Sequence, residues 1–530
     1  MSSVVETPPD RKAVVAPSAP IHQEEMSHRQ IVEALVGILS ALFVGMISST
    51  IVSNALPTII SDLDGTQRSY TWVITASLLA MTATTPIWGK LSDLFNKKLL
   101  LQIAILVFVL GSIAAGASQN VGQLIGFRVI QGIGMGGLTA LAQTVIAAMI
   151  PPRQRGRYNG YLGSVMAVAT VSGPLIGGVV VDTSWLGWRW CFYVCVPLAV
   201  IALAVIQKTL HLAYRPRPAS IDWLGAALIA AGVSVLLIWV SFAGSDFAWV
   251  SWPTAAFLAG GLVSLVLAVM VERRVKEPVV PPRILAKRTT SLAVVASIAV
   301  GVAMFGGSVF LGQYFQVARG YSPTAAGLLT MPLMVGLLLS SVISGRMITA
   351  TGRYKRYIVA GTVLLVAGFA LLGTIDHTTS LWLIGSYMGL VGIGVGMSMQ
   401  NLVLAVQNTV DASDIGAASA TVAFFRSLGG TIGVSVLGAV LSSHVATLVA
   451  SGLSTLGIAA PAGGSTSLDF SSLPAPVAEV VRAAYGDGTA RIFLIAAVIS
   501  VISVIAASFI KEVPLRTTIQ GKDDELVAAE

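Results

Sequence analysis

Long apolar stretches separated by short polar segments recur along the chain from residue 31 to residue 510. Most of them have the length that an α-helix needs to cross the hydrocarbon core of a bilayer, about 20 residues. The pattern predicts an all-α, polytopic membrane protein with fourteen transmembrane helices. The predicted helices lie near residues 32–56, 70–91, 99–118, 121–147, 158–181, 189–210, 222–244, 252–271, 290–312, 323–345, 357–375, 380–405, 416–444 and 490–510.

The composition agrees with a membrane protein. Of the 530 residues, 55% are hydrophobic and 11% are charged, and the mean hydropathy is +0.83, which a soluble domain of this size does not reach. Residues 1–30 are polar and rich in proline, so we expect a disordered tail before a full-length first helix rather than a cleaved export signal. An even number of helices places both termini on one side of the membrane.

The net charge of +8 is distributed as membrane topology requires. If the N-terminus is cytoplasmic, most lysines and arginines fall in cytoplasmic tails and loops, as the positive-inside rule predicts. We therefore expect both termini in the cytoplasm and location in the cell membrane. Contact with anionic lipids accounts for the basic loops, and we expect no nucleic-acid partner. The exceptions to the pattern are Arg68, Arg189, Arg319, Arg482 and Arg491 in outer loops, and Arg128 and Arg426 inside helices.

Three pairs of segments repeat along the chain in the same order. GKLSD (89–93) precedes GRMIT by 256 residues, SGPLIG precedes LGGTIG by the same interval, and QGIGMG precedes VGIGVG by 260. Such parallel repeats predict two six-helix bundles with a substrate site between them, near the membrane midplane. The predicted units are a cytoplasmic tail (1–30), an N-terminal bundle (31–212), two extra helices with a linker (213–288), a C-terminal bundle (289–512) with an outer loop (445–489), and a cytoplasmic tail (513–530).

Several classes of chemistry have no support in the sequence. Cys191 and Cys195 lie one turn apart on an apolar helix, which suits buried small side chains better than a disulfide framework or a metal site. The histidines lie in tails, loops or helix ends. No HExxH, Ser–His or GxxxxGK[ST] arrangement occurs, so we expect neither an enzyme nor ATP drive, and no metal or cofactor.

The fourth predicted helix carries a membrane charge in LIGFRVIQGIGMGG (124–137). Arg128 lies about two turns from the outer end, where a charge costs at least about 2.5 kcal/mol on insertion scales and normally faces a polar interior. Gln131, three residues later, shares its helix face. The alternative is an arginine that extends to the nearby membrane surface.

Two further motifs concern the second and fifth helices. GKLSDLFNKK (89–98) places Asp93 among Lys90, Lys97 and Lys98, where the carboxylate could hold a helix N-terminus or a basic partner, unless this is simply a solvated basic turn. In the fifth helix, the AxxxGPxxGG pattern at 169–178 contributes Gly173, Pro174, Gly177 and Gly178, which allow close helix packing and a bend.

Together these motifs resemble those of the major facilitator superfamily, and the chain from 31 to 516 resembles its fourteen-helix drug:proton antiporter branch. The resemblance implies the major facilitator fold and efflux. It also implies an antiporter role for the fifth-helix motif, a role for Arg128 in proton coupling, and a loop with Gly89, Asp93, Lys97 and Lys98 that latches the two bundles. Leu94 and Asn96 depart from the loop signature. The segments that resemble this branch include WRWCFYVCVPLA, ERRVKEPVVPPRIL, QVARGYSPTAAGLL, GAASATVAFFRSLGGTIG and EVPLR.

One departure from the branch concerns charge in the membrane. Ser48 stands where the first-helix signature of the branch has an aspartate, and no other acid lies near the middle of a predicted helix. Arg426 lies about 15 Å into the thirteenth helix. We therefore hypothesise an electropositive cavity that favours neutral, zwitterionic or anionic substrates over dications. The alternative is that Arg426 caps carbonyls of a neighbouring helix.

The sequence thus predicts a secondary active exporter of amphiphilic small molecules or drugs, as in multidrug efflux and antibiotic resistance. We expect it to be monomeric and driven by proton antiport. Candidate proton carriers are Asp93, Glu33 or an outer acid such as Asp62 or Asp64. The candidate residues for proton coupling or gating are Arg128, Asp93 and Arg426. The alternatives are an exporter of one endogenous metabolite, lipid or siderophore with changed coupling, or a non-transporting membrane sensor. Predicted cavity residues are Ser48, Ser49, Asn54, Trp72, Gln131, Gln143, Gln313 and Asn401.

Overall fold

The computed structural model describes residues 28–64, 67–183, 186–212, 222–243, 247–275, 277–321, 323–456, 458 and 474–516. These residues are helical almost throughout, and among them the β-contacts are limited to one isolated bridge between Ala243 and Phe247. The all-α prediction is confirmed. The predicted disordered tail at 1–30 lies outside the described residues, apart from the first turn of the first helix.

Seven helices form the N-terminal bundle. Polar side chains start two of them: Asn96 caps α3 by accepting hydrogen bonds from the N–H groups of Lys98 and Leu99, and Asn120 does the same for α4 at Gln123. Together α6 and α7 make one interrupted apolar span. The bounds are α1 (His28–Asp62), α2 (Gln67–Leu94), α3 (Lys97–Gly116), α4 (Val121–Met149), α5 (Pro152–Asp182), α6 (Trp190–Tyr193) and α7 (Cys195–Thr209).

Three helices and a linker follow before the C-terminal bundle begins. The inserted pair α8 and α9 is capped by Asp222 and Ser251, and the short α10 leads into α11. In the C-terminal bundle, α11 ends in a π-helical turn at Tyr314–Ala318. The bounds are α8 (Trp223–Phe242), α9 (Trp252–Glu272), α10 (Pro282–Leu285), α11 (Arg288–Gln313), α12 (Pro323–Leu329), α13 (Met331–Thr351), α14 (Lys355–Leu372), α15 (Leu381–Gln407), α16 (Ile415–Thr455) and α17 (Ala475–Phe509).

Twelve helical segments of the described chain are long and apolar enough to cross a membrane. The two further predicted spans correspond to α2 and α5, helices of 28 and 31 residues that are not among these twelve segments. Both pack against the C-terminal bundle, α2 against α16 and α5 against α13.

Some helices extend beyond their predicted ends. α16 continues to Thr455, and α17 begins at Ala475, so helix occupies both ends of the segment 445–489 that the sequence assigns to an outer loop. Residues 459–473 of that segment lie outside the described residues. The apolar core falls into one cluster for α1–α7, one for α10–α17, and a smaller one around α8 and α9.

Candidate functional site

Arg128 faces the interior of the N-terminal bundle. Its side chain is buried, with 3% of the residue exposed. The Nη1 atom donates a hydrogen bond to Gln131 Oε1 at 2.5 Å, and Nε donates to the carbonyl oxygen of Val73 on α2 at 3.4 Å. The guanidinium therefore does not extend to the membrane surface, and it binds polar groups of α2 and α4.

Gln131 extends this network to two other helices. Its Nε2 atom donates to Ser112 Oγ on α3 at 2.8 Å and to Ser48 Oγ on α1 at 3.1 Å. Ser48 thus lies within the Arg128 network, at the position where the branch signature has an aspartate. The described partners of Arg128 and Gln131 are hydroxyl and carbonyl oxygens, and no carboxylate is among them.

Glycine packing brings these helices close enough for the network. A Cβ on Gly111 of α3 would lie 2.5 Å from the backbone nitrogen of Gln131, so the backbones of α3 and α4 touch there. Ser112, the next residue, then reaches the Gln131 side chain. A larger residue at 111 would separate the helices and break this contact.

Arg426 is the second intramembrane arginine. It lies on α16 with 7% of the residue exposed, and its Nη1 atom has no hydrogen-bond partner among the described residues. Gly301 of α11 packs on the Arg426 carbonyl oxygen, so a Cβ at residue 301 would overlap that atom.

Asp93 joins the two bundles at one end of the molecule. Its Oδ1 accepts a hydrogen bond from the Gly416 N–H and its Oδ2 from the Ala417 N–H, both at 2.8 Å, so it caps the start of α16. The contact is possible because Gly89 and Gly416 let α2 and α16 cross closely. Asp93 follows the predicted span 70–91, and burial raises its pKa to about 7 against the opposing effects of these N–H groups and of Lys97.

A second set of contacts joins the bundles at the same end, through α5. Arg155 has only 1% of its surface exposed, and it donates to the Ala147 and Ile150 carbonyl oxygens at the end of α4. Its Nη1 atom also donates to Gln407 Oε1 of α15 at 3.2 Å. Burial, and secondarily the charge of Arg516, lower the pKa of Arg155 to about 9, so it stays charged at neutral pH.

We call this region, where α2 ends and α5 and α16 begin, the closed end. Two further backbone N–H groups of α5 reach the C-terminal bundle there, from Arg153 to the Arg516 carbonyl oxygen and from Arg157 to Thr349 Oγ1. Polar contacts at the opposite end behave differently, because those of Asp62, Arg189, Arg319 and His377 remain within one bundle.

The fifth-helix motif packs against α1. Thr50 Oγ1 donates to the Ala169 carbonyl oxygen at 3.3 Å, and a Cβ on Gly173 would overlap the Thr50 side chain. Gly177 is buried. The surroundings of Pro174 and Gly178 lie outside the described residues. The motif thus supports a tight α1–α5 contact inside the N-terminal bundle.

The other predicted cavity residues do not converge on one place. Trp72 stacks on Phe242 of α8, with ring centroids 4.5 Å apart. Asn401 donates to the Met397 carbonyl oxygen at 2.6 Å and to Ser344 Oγ at 3.4 Å, inside the C-terminal bundle. Gln143 is buried on α4, and its Oε1 has no partner among the described residues. The side chain of Asn54 lies outside the described residues.

Sequence reasoning did not single out Arg155, Glu272 or Glu277. The run PPRQRGR contains three arginines with the same expected location, and nothing in it indicates that the middle one is buried. Glu272 and Glu277 stand in a charged linker that reads as a cytoplasmic loop. In the structure Glu277 pairs with buried Lys90 of α2 at 2.5 Å.

Comparison with known proteins adds a family to this geometry. The chain matches the sequence model of the Major Facilitator Superfamily over residues 38–434. An uncharacterized MFS-type transporter of Mycobacterium tuberculosis (strain ATCC 25618 / H37Rv) is 36% identical, over 92% of this chain and 71% of that protein. The multidrug transporter protein MdtP of Bacillus subtilis (strain 168) is 34% identical, over 78% of this chain and 76% of that protein. The efflux pump dotC of Dothistroma septosporum is 32% identical, over 92% of this chain and 84% of that protein.

Solved structures show the same fold at low sequence identity. The proton:xylose symporter XylE superposes with a TM-score of 0.61 at 14% identity, over 95% of this chain and 99% of that chain. The human organic anion transporter MFSD10 superposes with a TM-score of 0.59 at 13% identity, over 89% of this chain and 99% of that chain. With the family match and the efflux-pump relatives, this likeness shows that the chain belongs to the Major Facilitator Superfamily and is a multi-pass membrane transporter rather than an enzyme.

Proposed function

We propose that the protein exports amphiphilic small molecules across the cytoplasmic membrane by alternating access coupled to proton antiport. The observation that carries the proposal is the closed end, where Asp93 caps α16 and Arg155 reaches α15. Transport by alternating access requires a state in which the bundles meet at one end only. The names of the relatives, a multidrug transporter and an efflux pump, support export rather than uptake.

The closed end is the cytoplasmic end in this proposal. It carries basic residues of several loops, including Lys97, Arg153 and Arg353, as the positive-inside rule expects. Helices α2 and α5 cross the membrane as well, which makes fourteen spans, and their polar faces are sheltered between the bundles. The protein acts as a monomer among anionic lipids, with both termini in the cytoplasm.

The charges in the membrane favour neutral, zwitterionic or anionic substrates. The Arg128 network contains no carboxylate among its described partners. The Nη1 atom of Arg426 has no hydrogen-bond partner among the described residues. A buried positive group without a counter-ion is unfavourable, so an acceptor on the substrate would relieve it. In this proposal Arg128 takes part in proton coupling and Arg426 contacts the substrate.

Efflux from proteoliposomes under an imposed pH gradient tests the proposal. The panel spans cationic, neutral and anionic amphiphiles, with Arg128→Ala and Arg426→Ala beside the unaltered protein. We expect gradient-driven flux that is lost in Arg128→Ala. Flux indifferent to the gradient would contradict proton antiport and favour an exporter with changed coupling. Binding without flux would contradict transport and favour a sensor.

A pair of substitutions at Ser48 tests the charge preference. Ser48→Asp places a carboxylate beside Gln131 and near Arg128, whereas Ser48→Asn keeps the site uncharged. We expect Ser48→Asp alone to shift competition toward cationic substrates. If dications already outcompete anions in the unaltered protein, the electropositive cavity is wrong.

A further inference from the structure

The inserted helices pack on the two helices that form the closed end. Ile229 and Val233 of α8 lie in one apolar cluster with Phe424 of α16, and Leu79 and Ile87 of α2 pack against it. The insert therefore contacts both sides of the junction that Asp93 makes between α2 and α16.

The linker after α9 is fastened to the same junction. We call residues 277–283, with the sequence EPVVPPR, the strap. At its start, Glu277 pairs with Lys90 of α2 at 2.5 Å, and Lys90 has only 4% of its surface exposed. In its middle, Val279 belongs to the cluster around Phe424. At its end, Arg283 binds both carboxylate oxygens of Asp414, just before α16, at 3.0 Å.

Glu272, the last residue of α9, holds the strap in place. Its Oε1 atom accepts a hydrogen bond from the Val279 N–H, and its Oε2 atom accepts one from the Val280 N–H, both at 2.9 Å. The residue is buried. The carboxyl group thus connects the insert to the part of the strap that packs on α16.

A second buried carboxyl group faces Glu272. Asp222 caps α8 through Oδ1, which accepts from the Gly225 N–H at 2.8 Å. Its Oδ2 atom is buried without a hydrogen-bond partner among the described residues. The position that a Cβ on Gly225 would occupy touches this Oδ2 atom and lies 3.1 Å from Glu272 Oε1, so the two carboxyl groups face each other across a glycine.

Two adjacent buried carboxylates cannot both stay ionised without a strong counter-charge. Lys90 is the nearest cation on α2, and it is already paired with Glu277. One proton shared by the pair would remove one charge and supply a donor between the two carboxyl groups. The charged groups on the surrounding elements are Lys90 and Asp93 on α2, Glu277 and Arg283 on the strap, Asp414 before α16, and the exposed Arg273 and Arg274 after α9.

We propose that Asp222 and Glu272 share one proton in the closed arrangement, so that the inserted helix pair is a proton-binding site whose occupancy keeps the strap on the closed end. The shared proton lies between the facing carboxyl groups, at Asp222 Oδ2 and Glu272 Oε1. When the closed end opens, Lys90 moves away from Glu277, water reaches the pair, and the proton passes to water. This inference rests on the proposed alternating access, but not on export or on any particular substrate.

Electron paramagnetic resonance measurements of the distance between two spin labels, on the full chain in lipid nanodiscs, test the site. Spin labels are placed at the exposed residues Lys208 and Arg353, one in each bundle, after both buried cysteines, Cys191 and Cys195, are replaced by alanine. We expect the ratio of closed to open molecules to rise on acidification from about pH 8 to about pH 6, by up to about tenfold per pH unit for one proton. Asp222→Asn removes one charge of the pair, so it should stay closed and lose this one-proton component, keeping only the pH dependence that Asp93 contributes.

The matched control is Arg283→Gln, which breaks the contact of the strap with Asp414 but leaves the Lys90–Glu277 pair, Asp222 and Glu272 in place. It should favour the open state and keep the pH dependence. If Asp222→Asn keeps the full pH dependence of the unaltered protein, the proposal is overturned.

An infrared measurement covers the case in which a variant folds poorly. Asp93→Asn serves as the background, because a protonated Asp93 would give a band of its own. In this background we expect the band of a protonated carboxyl in the closed protein, and we expect it to be lost when either Asp222→Asn or Glu272→Gln is added. Persistence of the band in the last two variants would overturn the proposal. Loss of substrate flux with an intact pH response of closure would contradict export while leaving the proton site in place.

Discussion

Asp93 of α2 caps α16 of the other bundle, with its carboxylate bound to the N–H groups of Gly416 and Ala417, the second and third residues of that helix. More than 300 residues separate the two in the chain. The contact thus connects the loop motif at 89–98 directly to the helix that carries Arg426. Any opening of this end must break the hydrogen bonds between Asp93 and α16.

Removal of the cap should open this end. Asp93→Ala leaves two N–H groups of α16 without their acceptor, and loss of such a cap costs about 1 kcal/mol, or about a fivefold shift in population. Asp93→Asn keeps one acceptor oxygen and should shift it less. Distances between spin labels at Lys208 and Arg353 measure the fraction of closed molecules. If Asp93→Ala has the same closed fraction as the unaltered protein, the cap does not hold the junction.

The pKa of Asp93 predicts a direction for the effect of pH. In the closed state burial raises the pKa of Asp93 to about 7 from its usual value of 3.8, which an exposed carboxyl in an open state would approach. Between these values the closed state binds more protons, so closure is favoured as pH falls through about 7 and is insensitive to Asp93 above that. Asp93→Asn should remove this component and leave the one at Asp222. If the closed fraction of Asp93→Asn depends on pH as it does in the unaltered protein, this prediction is wrong.

The glycine contact beneath the Arg128 network should be sensitive to one methyl group. Gly111→Ala would press a Cβ on the Gln131 backbone, which must move α3 from α4 and lower the thermal stability of the purified protein. Gly126→Ala on α4 is the control, because the space around that residue is open. It should be neutral or slightly stabilising, since alanine is the better helix former. Similar melting temperatures for the two variants would contradict the tight packing.

Arg155 should matter far more than its neighbours in the chain. Arg155→Ala removes donors to two carbonyl oxygens of α4 and to Gln407, and hydrogen bonds to a charged group are worth about 1.5–3 kcal/mol each. Arg157→Ala is the control, because its side chain is exposed and only its backbone N–H reaches Thr349. We expect a clear loss of thermal stability for the first variant alone. Equal losses would mean that the charge of the loop, rather than its buried geometry, matters.

Much of the architecture was predictable because its causes are local. The length and apolarity of each stretch determine whether a helix can cross a bilayer, and the excess of basic residues on one side predicts its orientation. Arg128 and Gln131 were predictable as a pair because residues three apart share a helix face. The short repeats and the motifs predicted the family in the same way.

The contacts between distant elements depended on tertiary structure. The sequence by itself determined an all-helical membrane protein of this family with Ser48 where an acid is usual. Only packing decided that Ser48 meets Gln131, that Arg155 rather than Arg153 or Arg157 is buried, and that Asp222 faces Glu272. The physical reason is that hydrophobic length acts within one helix, whereas burial and hydrogen bonding of a polar side chain depend on which helices meet, and at what separation.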